Sequence, residues 1–118
     1  MNIEHLREYY LQKPYSEESF PFGEDTLVFK IFNKIFALLS LDEPESPRVN
    51  LKGDPDNNIE LRENYEGVIA GYHMNKKHWN TVLLESDVND SKIRQLIDES
   101  YDLIAASLPK KIRDSAFL

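Results

Sequence analysis

The chain has 118 residues, the usual size of one domain, and 41% of them are hydrophobic, which is enough to build a core. It contains no cysteine, so a disulfide framework, a thiolate zinc site and a thiol nucleophile are excluded. No apolar run approaches the roughly 20 residues of a membrane span, and the first residues lack a signal-peptide pattern. We therefore expect a single cytoplasmic domain over residues 1–118 that does not associate with membranes.

Charge is unevenly distributed along the chain. The formal net charge of −7, from 14 basic and 21 acidic residues, argues against a general binder of polyanions. Residues 26–41, 46–53 and 67–84 nevertheless hold no acidic residue and carry +6, which leaves −13 for the rest. Strands are generally poor in Asp and Glu, so the segregation has a structural explanation as well as a functional one. The basic residues of these stretches are Lys30, Lys34, Arg48, Lys52, Lys76 and Lys77.

A helix and an extended segment are predicted at the start of the chain. Apolar side chains at helical spacing indicate a first helix over residues 3–12, with Asn2 as its N-cap and Pro14 just beyond its end. Residues 15–25 are predicted to form an extended strand followed by a turn.

A β-hairpin is the next predicted element. Residues 27–32 and 35–41 are rich in β-branched and aromatic side chains, and Asn33 with Lys34 separates them. Because Asn tolerates a positive φ, this pair is a suitable turn. An acidic loop with two prolines follows over residues 42–47.

The predicted strand over residues 48–52 alternates in character. Val49 and Leu51 are expected to face the core, because alternate residues of a strand point to the same side. The opposite face is expected to be exposed to solvent and cationic, and it consists of Arg48, Asn50 and Lys52.

A second helix is predicted to begin at Pro55, with Asp54 as its N-cap. It would end at Gly67, since glycine is common just after the end of a helix. Its apolar side chains are Ile59, Leu61 and Tyr65.

Two strands and a third helix complete the pattern. The strands are predicted over residues 68–73 and 79–84. The helix begins at Asn89 or Asp90 and stops before Pro109. Its apolar stripe consists of Ile93, Leu96, Ile97, Tyr101, Ile104 and Leu108.

This order of elements predicts an α+β fold. We expect an antiparallel sheet of about five strands, with the first and third helices packed on one face. The basic residues 110–113 are predicted to form only a short tail. No internal repeat or linker divides the chain.

Four segments, which include every glycine of the chain except Gly67, carry a family resemblance. They are Pro21-Phe22-Gly23, residues 51–55, residues 71–82, and residues 100–103 with 108–111. In this order they resemble the MmcQ/YjbR family of small bacterial proteins over almost the whole chain, and the long segment 71–82 is the most specific. The family frequently has a cysteine where this chain has Gly53, a departure that agrees with an absence of thiol chemistry.

The resemblance implies a fold similar to that of the frataxin/CyaY superfamily, with an antiparallel sheet described as a double wing. Members of the family are commonly described as DNA-binding proteins, a description that rests on fold analogy. The resemblance implies neither catalytic residues nor a cofactor.

The segment between the last two strands carries the chemistry most compatible with DNA. Lysines neutralise phosphates, an aromatic ring stacks on an unpaired base, and histidines gain charge below about pH 6.5. The alternative is that the lysines only keep a turn soluble and that Trp79 packs in the core, and for Trp79 we favour this alternative. With the outward cations of the sheet, the candidate nucleic-acid-binding residues are Lys30, Arg48, Lys52, His73, Lys76, Lys77, His78 and Trp79.

Metal-binding and catalytic alternatives find less support. The spacing of His73 and His78 matches no strong zinc pattern. Glu60, Glu63 and Glu66 are the candidates for the weak metal binding on an acidic helix that a frataxin-like fold suggests. Neither a phosphate-binding glycine loop nor a nucleophile motif occurs, so we expect no enzyme activity, no cofactor and no small-molecule substrate.

The main alternative to DNA binding is a protein–protein interaction module. An exposed sheet edge can recruit a partner strand, and the acidic remainder of the chain suits a basic partner. The positions of the six cations distinguish the two hypotheses. A single exposed cationic face favours nucleic acid, whereas cations that are dispersed or paired with acids favour a protein partner.

Overall fold

The computed structural model describes residues 1–71 and 74–117, and the elements follow the predicted order. Within the described residues, no helix is long and apolar enough to cross a membrane. The helices are α1 (Ile3–Leu11), α2 (Pro55–Asn64), α3 (Asp90–Ala106) and α4 (Lys110–Phe117). The strands are β1 (Ser16–Ser19), β2 (Thr26–Ile31), β3 (Lys34–Ser40), β4 (Arg48–Lys52), β5 (Val68–Ala70) and β6 (Trp79–Leu83).

The described strands form one antiparallel sheet in the order β1-β2-β3-β4-β6-β5. Helix α3 packs across β3 and β4 in the middle of the sheet, α1 lies beside β1, and α2 lies beside β5 and β6. The six strands that the described residues form exceed the expected number by one, but the α+β class with an antiparallel sheet is confirmed.

The helix-covered face of the sheet forms the hydrophobic core. Tyr10 of α1 stacks on Phe29 with ring centroids 4.3 Å apart, and it meets Phe36 edge-on at 5.6 Å. The predicted stripe of α3 is confirmed, because every residue assigned to it is buried. These residues are Ile93, Leu96, Ile97, Tyr101, Ile104 and Leu108.

A β-bulge turns two consecutive residues of β3 toward the helices. The register between β2 and β3 shifts after Phe29, which leaves Phe36 as an additional residue. The Phe36 carbonyl accepts a hydrogen bond of 2.6 Å from the hydroxyl of Ser100, which itself accepts one of 2.9 Å from the Lys52 N–H. One buried hydroxyl on α3 therefore bridges β3 and β4 where their ladder ends.

The hairpin turn lies one residue earlier than predicted. Ile31 pairs with Lys34, so the central residues of the turn are Phe32 and Asn33, with φ of +46° and +68°. Two successive positive φ values are typical of the type I′ turn, whose twist matches that of the flanking strands. The prediction of Asn33-Lys34 as the turn is wrong, because Lys34 is the first residue of β3 and pairs with Ile31 of β2.

Two further sequence predictions are wrong at the helices. Helix α2 ends at Asn64 and buries Asn58 with Leu61, whereas Ile59 is 47% exposed. The residues predicted to be a basic tail form α4, whose Ile112 packs against the core. A helix of eight residues is only marginally stable in isolation. The contact of Ile112 with the core stabilises α4, and the local sequence pattern does not reveal this contact.

Candidate nucleic-acid interface

The sheet face opposite the helices, called here the second face, is buried along its middle. Val28, Leu38, Asn50 and Thr81 are successive register partners across β2, β3, β4 and β6, and all of them are buried. The solvent-exposed face predicted for β4 is therefore wrong at Asn50, which is only 8% exposed. Its side chain accepts a hydrogen bond from the Thr81 hydroxyl, as buried polar groups require.

A cleft of about 540 Å³ lies on the second face. Its volume falls within the range of about 300–1,000 Å³ that is usual for ligand sites. Phe22, from the turn between β1 and β2, is 66% exposed at this cleft, and Met74 borders it from the segment between β5 and β6. The other described lining residues are Thr26, Leu38, Ser40, Asp42, Arg48 and Asn50.

A turn with a fixed backbone lies immediately before β6. The side-chain oxygen of Asn75 accepts hydrogen bonds from the N–H groups of Lys77 and His78, at 2.9 and 3.2 Å. The Asn75 carbonyl accepts a further bond of 2.9 Å from the N–H of Trp79. Because one asparagine binds three successive N–H groups, the turn has a defined shape.

Side chains of helix α2 anchor the same turn by donating hydrogen bonds to the backbone carbonyl groups of the turn. Arg62 donates a hydrogen bond of 2.8 Å to the carbonyl of Lys76. Asn58 donates to the carbonyls of Gly53 and Lys77, at 3.2 Å each. The lysine side chains themselves remain exposed. These bonds also explain why α2 buries a polar residue rather than its isoleucine.

Two glycines permit the close packing around this turn. A Cβ atom on Gly53 would lie 2.2 Å from the side-chain oxygen of Asn58. A Cβ atom on Gly71 would lie 2.9 Å from the Cβ atom of Trp79 and 3.1 Å from that of Met74. The absence of side chains at both positions brings the turn against α2 and places Met74, at the cleft, close to Trp79.

Trp79 does not pack in the core. It is partly exposed, and strand alternation places it on the second face, next to its register partner Lys52 on the neighbouring strand β4. The core position favoured for Trp79 is therefore wrong. The exposed Lys76 and Lys77 and the partly exposed His78 precede Trp79 directly in the chain, so these candidate residues lie at the end of the sheet where Trp79 begins β6.

The remaining cations are dispersed. Lys34 donates a hydrogen bond of 3.0 Å to the carbonyl of Ser107 and so caps the C-terminal end of α3. Arg48, about 13 Å from Lys52 along β4, forms an ion pair with Glu43. Lys30 has an acidic register partner in β1, namely Glu17. The six cations of the acid-free stretches thus do not form a single face, an outcome that by the criterion given above favours a protein partner. Of these described cations, only Lys52, Lys76 and Lys77 remain near Trp79 and support a nucleic-acid ligand.

The histidine and glutamate candidates for a metal site gain no support. His73 and its neighbour Tyr72 lie outside the described residues. Among residues 1–71 and 74–117, no group of three or more His, Asp or Glu side chains could hold a metal ion. This holds for the three glutamates of the acidic helix, since Glu60 and Glu63 lie in α2 and Glu66 lies just beyond its end.

Sequence reasoning missed the cleft. Its borders come from segments that are distant in sequence, and no periodic pattern connects them. A signal was nevertheless present, since Phe22 and Met74 both lie within the segments that carry the family resemblance.

Comparisons with known proteins agree with that resemblance. The YjbR family model matches residues 11–103. The uncharacterized protein YbdF of Escherichia coli O157:H7 is 39% identical over 101 residues, which cover 86% of this chain and 82% of YbdF. The uncharacterized protein YjbR of Escherichia coli K12 is 34% identical over 113 residues, which cover 96% of this chain and 95% of YjbR.

Solved structures show the same architecture. The crystal structure of Deinococcus radiodurans protein DR2400, described with a DUF419 domain, has a TM-score of 0.90 and 35% identity, over 99% of this chain and 88% of that chain. A crystal structure of a Pseudomonas syringae protein has a TM-score of 0.76 and 29% identity, over 87% of this chain and 98% of that chain. The chain therefore belongs to the YjbR family.

Proposed function

We propose that this protein is a non-catalytic binding protein whose ligand is single-stranded nucleic acid, bound at the Trp79 end of the second face. The observation that supports the proposal is the grouping of the partly exposed Trp79 with its register partner Lys52 and with Lys76 and Lys77, which lie on the turn of fixed backbone just before β6. Aromatic rings that stack on bases, beside cations that contact phosphates, are the usual elements of single-strand binding.

Single strands are favoured over duplex DNA by the charge of the protein. Duplex binding relies on many phosphate contacts. Of the six described cations of the acid-free stretches, only Lys52, Lys76 and Lys77 lie near Trp79 for such contacts, and the net charge of the protein is −7. Stacking contributes about 1–3 kcal/mol per base and does not depend on a strongly positive surface. The exposed ring of Phe22 and the side chain of Met74 provide further apolar contacts for an unpaired base along the adjoining cleft.

Strand addition at the sheet edge, the other function considered, is less favoured. The edge strands among the described residues are β1, with four residues, and β5, with three. Short edge strands are one of the means by which proteins avoid pairing with other chains.

The proposal is tested by titrating the protein with oligothymidine and with duplex DNA at low salt. Trp79 is the single tryptophan, so its fluorescence reports directly on the site. Replacing both Lys76 and Lys77 by Glu should weaken oligothymidine binding by at least about tenfold, because two phosphate contacts become repulsive. The matched control replaces Lys110 and Lys111 of α4 by Glu, which changes the net charge equally.

Salt dependence and stacking provide independent readouts. If Lys52, Lys76 and Lys77 each contact a phosphate, log K should fall with log[salt] at a slope of about −2.1. Trp79→Ala should weaken binding more than Trp79→Phe, which retains a ring. Absence of binding to either DNA, or equal binding by the two lysine double variants, would contradict the proposal.

A further inference from the structure

The surface between α2 and α3 forms a second candidate site, on the helical side of the sheet. A groove of about 310 Å³ lies there. Its apolar part consists of Leu103, which is 39% exposed, and Ala106. Its polar part consists of Asp54, Asn57, Glu99 and Asp102.

We infer that this groove binds a basic amphipathic segment of a partner protein, with an apolar side chain on Leu103 and Ala106 and cations beside Asp54, Glu99 and Asp102. The described lining residues include three carboxylates and no basic side chain. This composition complements an apolar residue flanked by Lys or Arg. The inference does not depend on nucleic-acid binding, which concerns the other side of the sheet.

Other ligand classes fit the groove less well. Polyanions are repelled by its carboxylates. The carboxylates do not converge, and no metal-binding group occurs among the described residues, so they suit separate cations rather than one metal ion. The volume is at the lower limit of small-molecule clefts, which agrees with room for one or two side chains of a partner.

Acidic side chains extend beyond the groove along α2. Asp56 and Glu60 are exposed next to Asp54 and Asn57, on the surface that continues from the groove. A basic segment longer than one turn would therefore remain in a negative field, which raises its association rate.

The test uses a synthetic peptide of about 14 residues in which Leu repeats at helical spacing and Lys fills the other positions. Binding is measured by calorimetry at about 0.15 M salt. Leu103→Ser should weaken binding by at least about tenfold. The control is Leu11→Ser on α1, because Leu11 is exposed to the same 39% and lies outside the groove. That variant should bind like the wild type.

The charge of the groove is tested separately. Replacing Glu99 by Gln and Asp102 by Asn should weaken binding and reduce its salt dependence. The control makes the same change of net charge on α1, with Glu4→Gln and Glu8→Gln, and should have a smaller effect. In the wild-type protein, amide shift changes should centre on residues 54–57 and 99–106, a readout that does not require any variant to fold.

Three outcomes would overturn the inference. The first is equal binding by the Leu103 and Leu11 variants. The second is equal binding of a scrambled peptide of the same composition, since this would indicate charge attraction alone. The third is self-association of the wild type that Leu103→Ser abolishes, which would make a second copy of the chain the occupant.

Discussion

The two faces of the sheet are buried by different means. On the helix-covered face, the apolar stripe of α3 and the stacked ring of Tyr10 cover β2, β3 and β4. On the second face, the buried row includes a polar pair, Asn50 and Thr81, and it borders a cleft between loop residues. The helix-covered side therefore carries the extended apolar packing, whereas the second face carries the cleft and the proposed nucleic-acid site, and each side can be altered with limited effect on the other.

Two adjacent leucines of β3 test this difference most strongly. Leu39 is fully buried in the helix-covered core, whereas Leu38 is 7% exposed and borders the cleft. Leu39→Ala should cost about 2–5 kcal/mol of unfolding free energy because it leaves a closed cavity, and Leu38→Ala no more than about 2 kcal/mol. Chemical denaturation measures both. Equal losses would mean that the two faces contribute alike.

The hydroxyl of Ser100 tests how the helix-covered face is connected to the sheet. Ser100→Ala removes the partner of the Phe36 carbonyl and of the Lys52 N–H, which leaves buried backbone groups without a hydrogen bond. The expected cost is about 1–3 kcal/mol. Ser91→Ala, at an exposed position of the same helix, should change stability by less than about 0.5 kcal/mol. A similar small change for Ser100→Ala would contradict the bridging role.

Acid sensitivity should arise from polar anchors outside the apolar core. The backbone N–H groups of Gly67 and Glu66 donate to the carboxylate of Asp87, at 2.7 and 2.8 Å, and thereby lower the pKa of Asp87. Since the folded pKa is the lower one, this stabilisation is complete above the ordinary value of about 4 and is lost as the pH falls through the folded pKa.

Asp87→Asn should therefore lower the melting temperature at pH 7 and flatten its decline below about pH 4. Thermal unfolding at a series of pH values measures this profile. Glu85→Gln, at an exposed position of the same loop, is the control and should follow the wild type. If Asp87→Asn had the same melting profile as the wild type, Asp87 would not contribute to the acid sensitivity of the protein.

The smallest effect is expected at the centre of the core. Among the described residues, the hydroxyl of the fully buried Tyr10 has no hydrogen-bond partner, and burial raises the pKa of this tyrosine. Tyr10→Phe should be neutral or stabilise the protein by up to about 1 kcal/mol. Tyr101→Phe, which loses a bond to the Pro14 carbonyl, should instead destabilise by about 1 kcal/mol. A clear destabilisation by Tyr10→Phe would indicate an unrecognised partner.

The sequence predicted best what depends on local pattern. The stripe of α3 and the N-caps Asn2 and Asp54 are predicted correctly, because periodicity and capping act within a few residues. Of the two alternatives at the start of α3, Asn89 and Asp90, the N-cap is Asn89. The burial of Asn58 instead of Ile59 is not predicted by the sequence pattern. Asn58 is buried because its side chain donates to the carbonyls of Gly53 and Lys77, which lie outside α2.

The candidate site depended more on contacts between distant segments. The Asn50–Thr81 pair joins β4 to β6, and only strand register brings the two residues together. Sequence reasoning found the lysine turn but could not tell that Arg48 pairs with Glu43 while Lys52 lies beside Trp79. Charge along the sequence indicated which residues are basic, and the sheet decided which of them are neighbours.

The tight approach of Gly53 to Asn58 has a consequence for sequence variation in the family. Any residue with a side chain at position 53, such as cysteine, would place its Cβ atom 2.2 Å from the Asn58 oxygen. Asn58 cannot move without giving up its bonds to the carbonyls of Gly53 and Lys77. Positions 53 and 58 should therefore vary as a pair, and relatives with cysteine should anchor the turn through a different side chain.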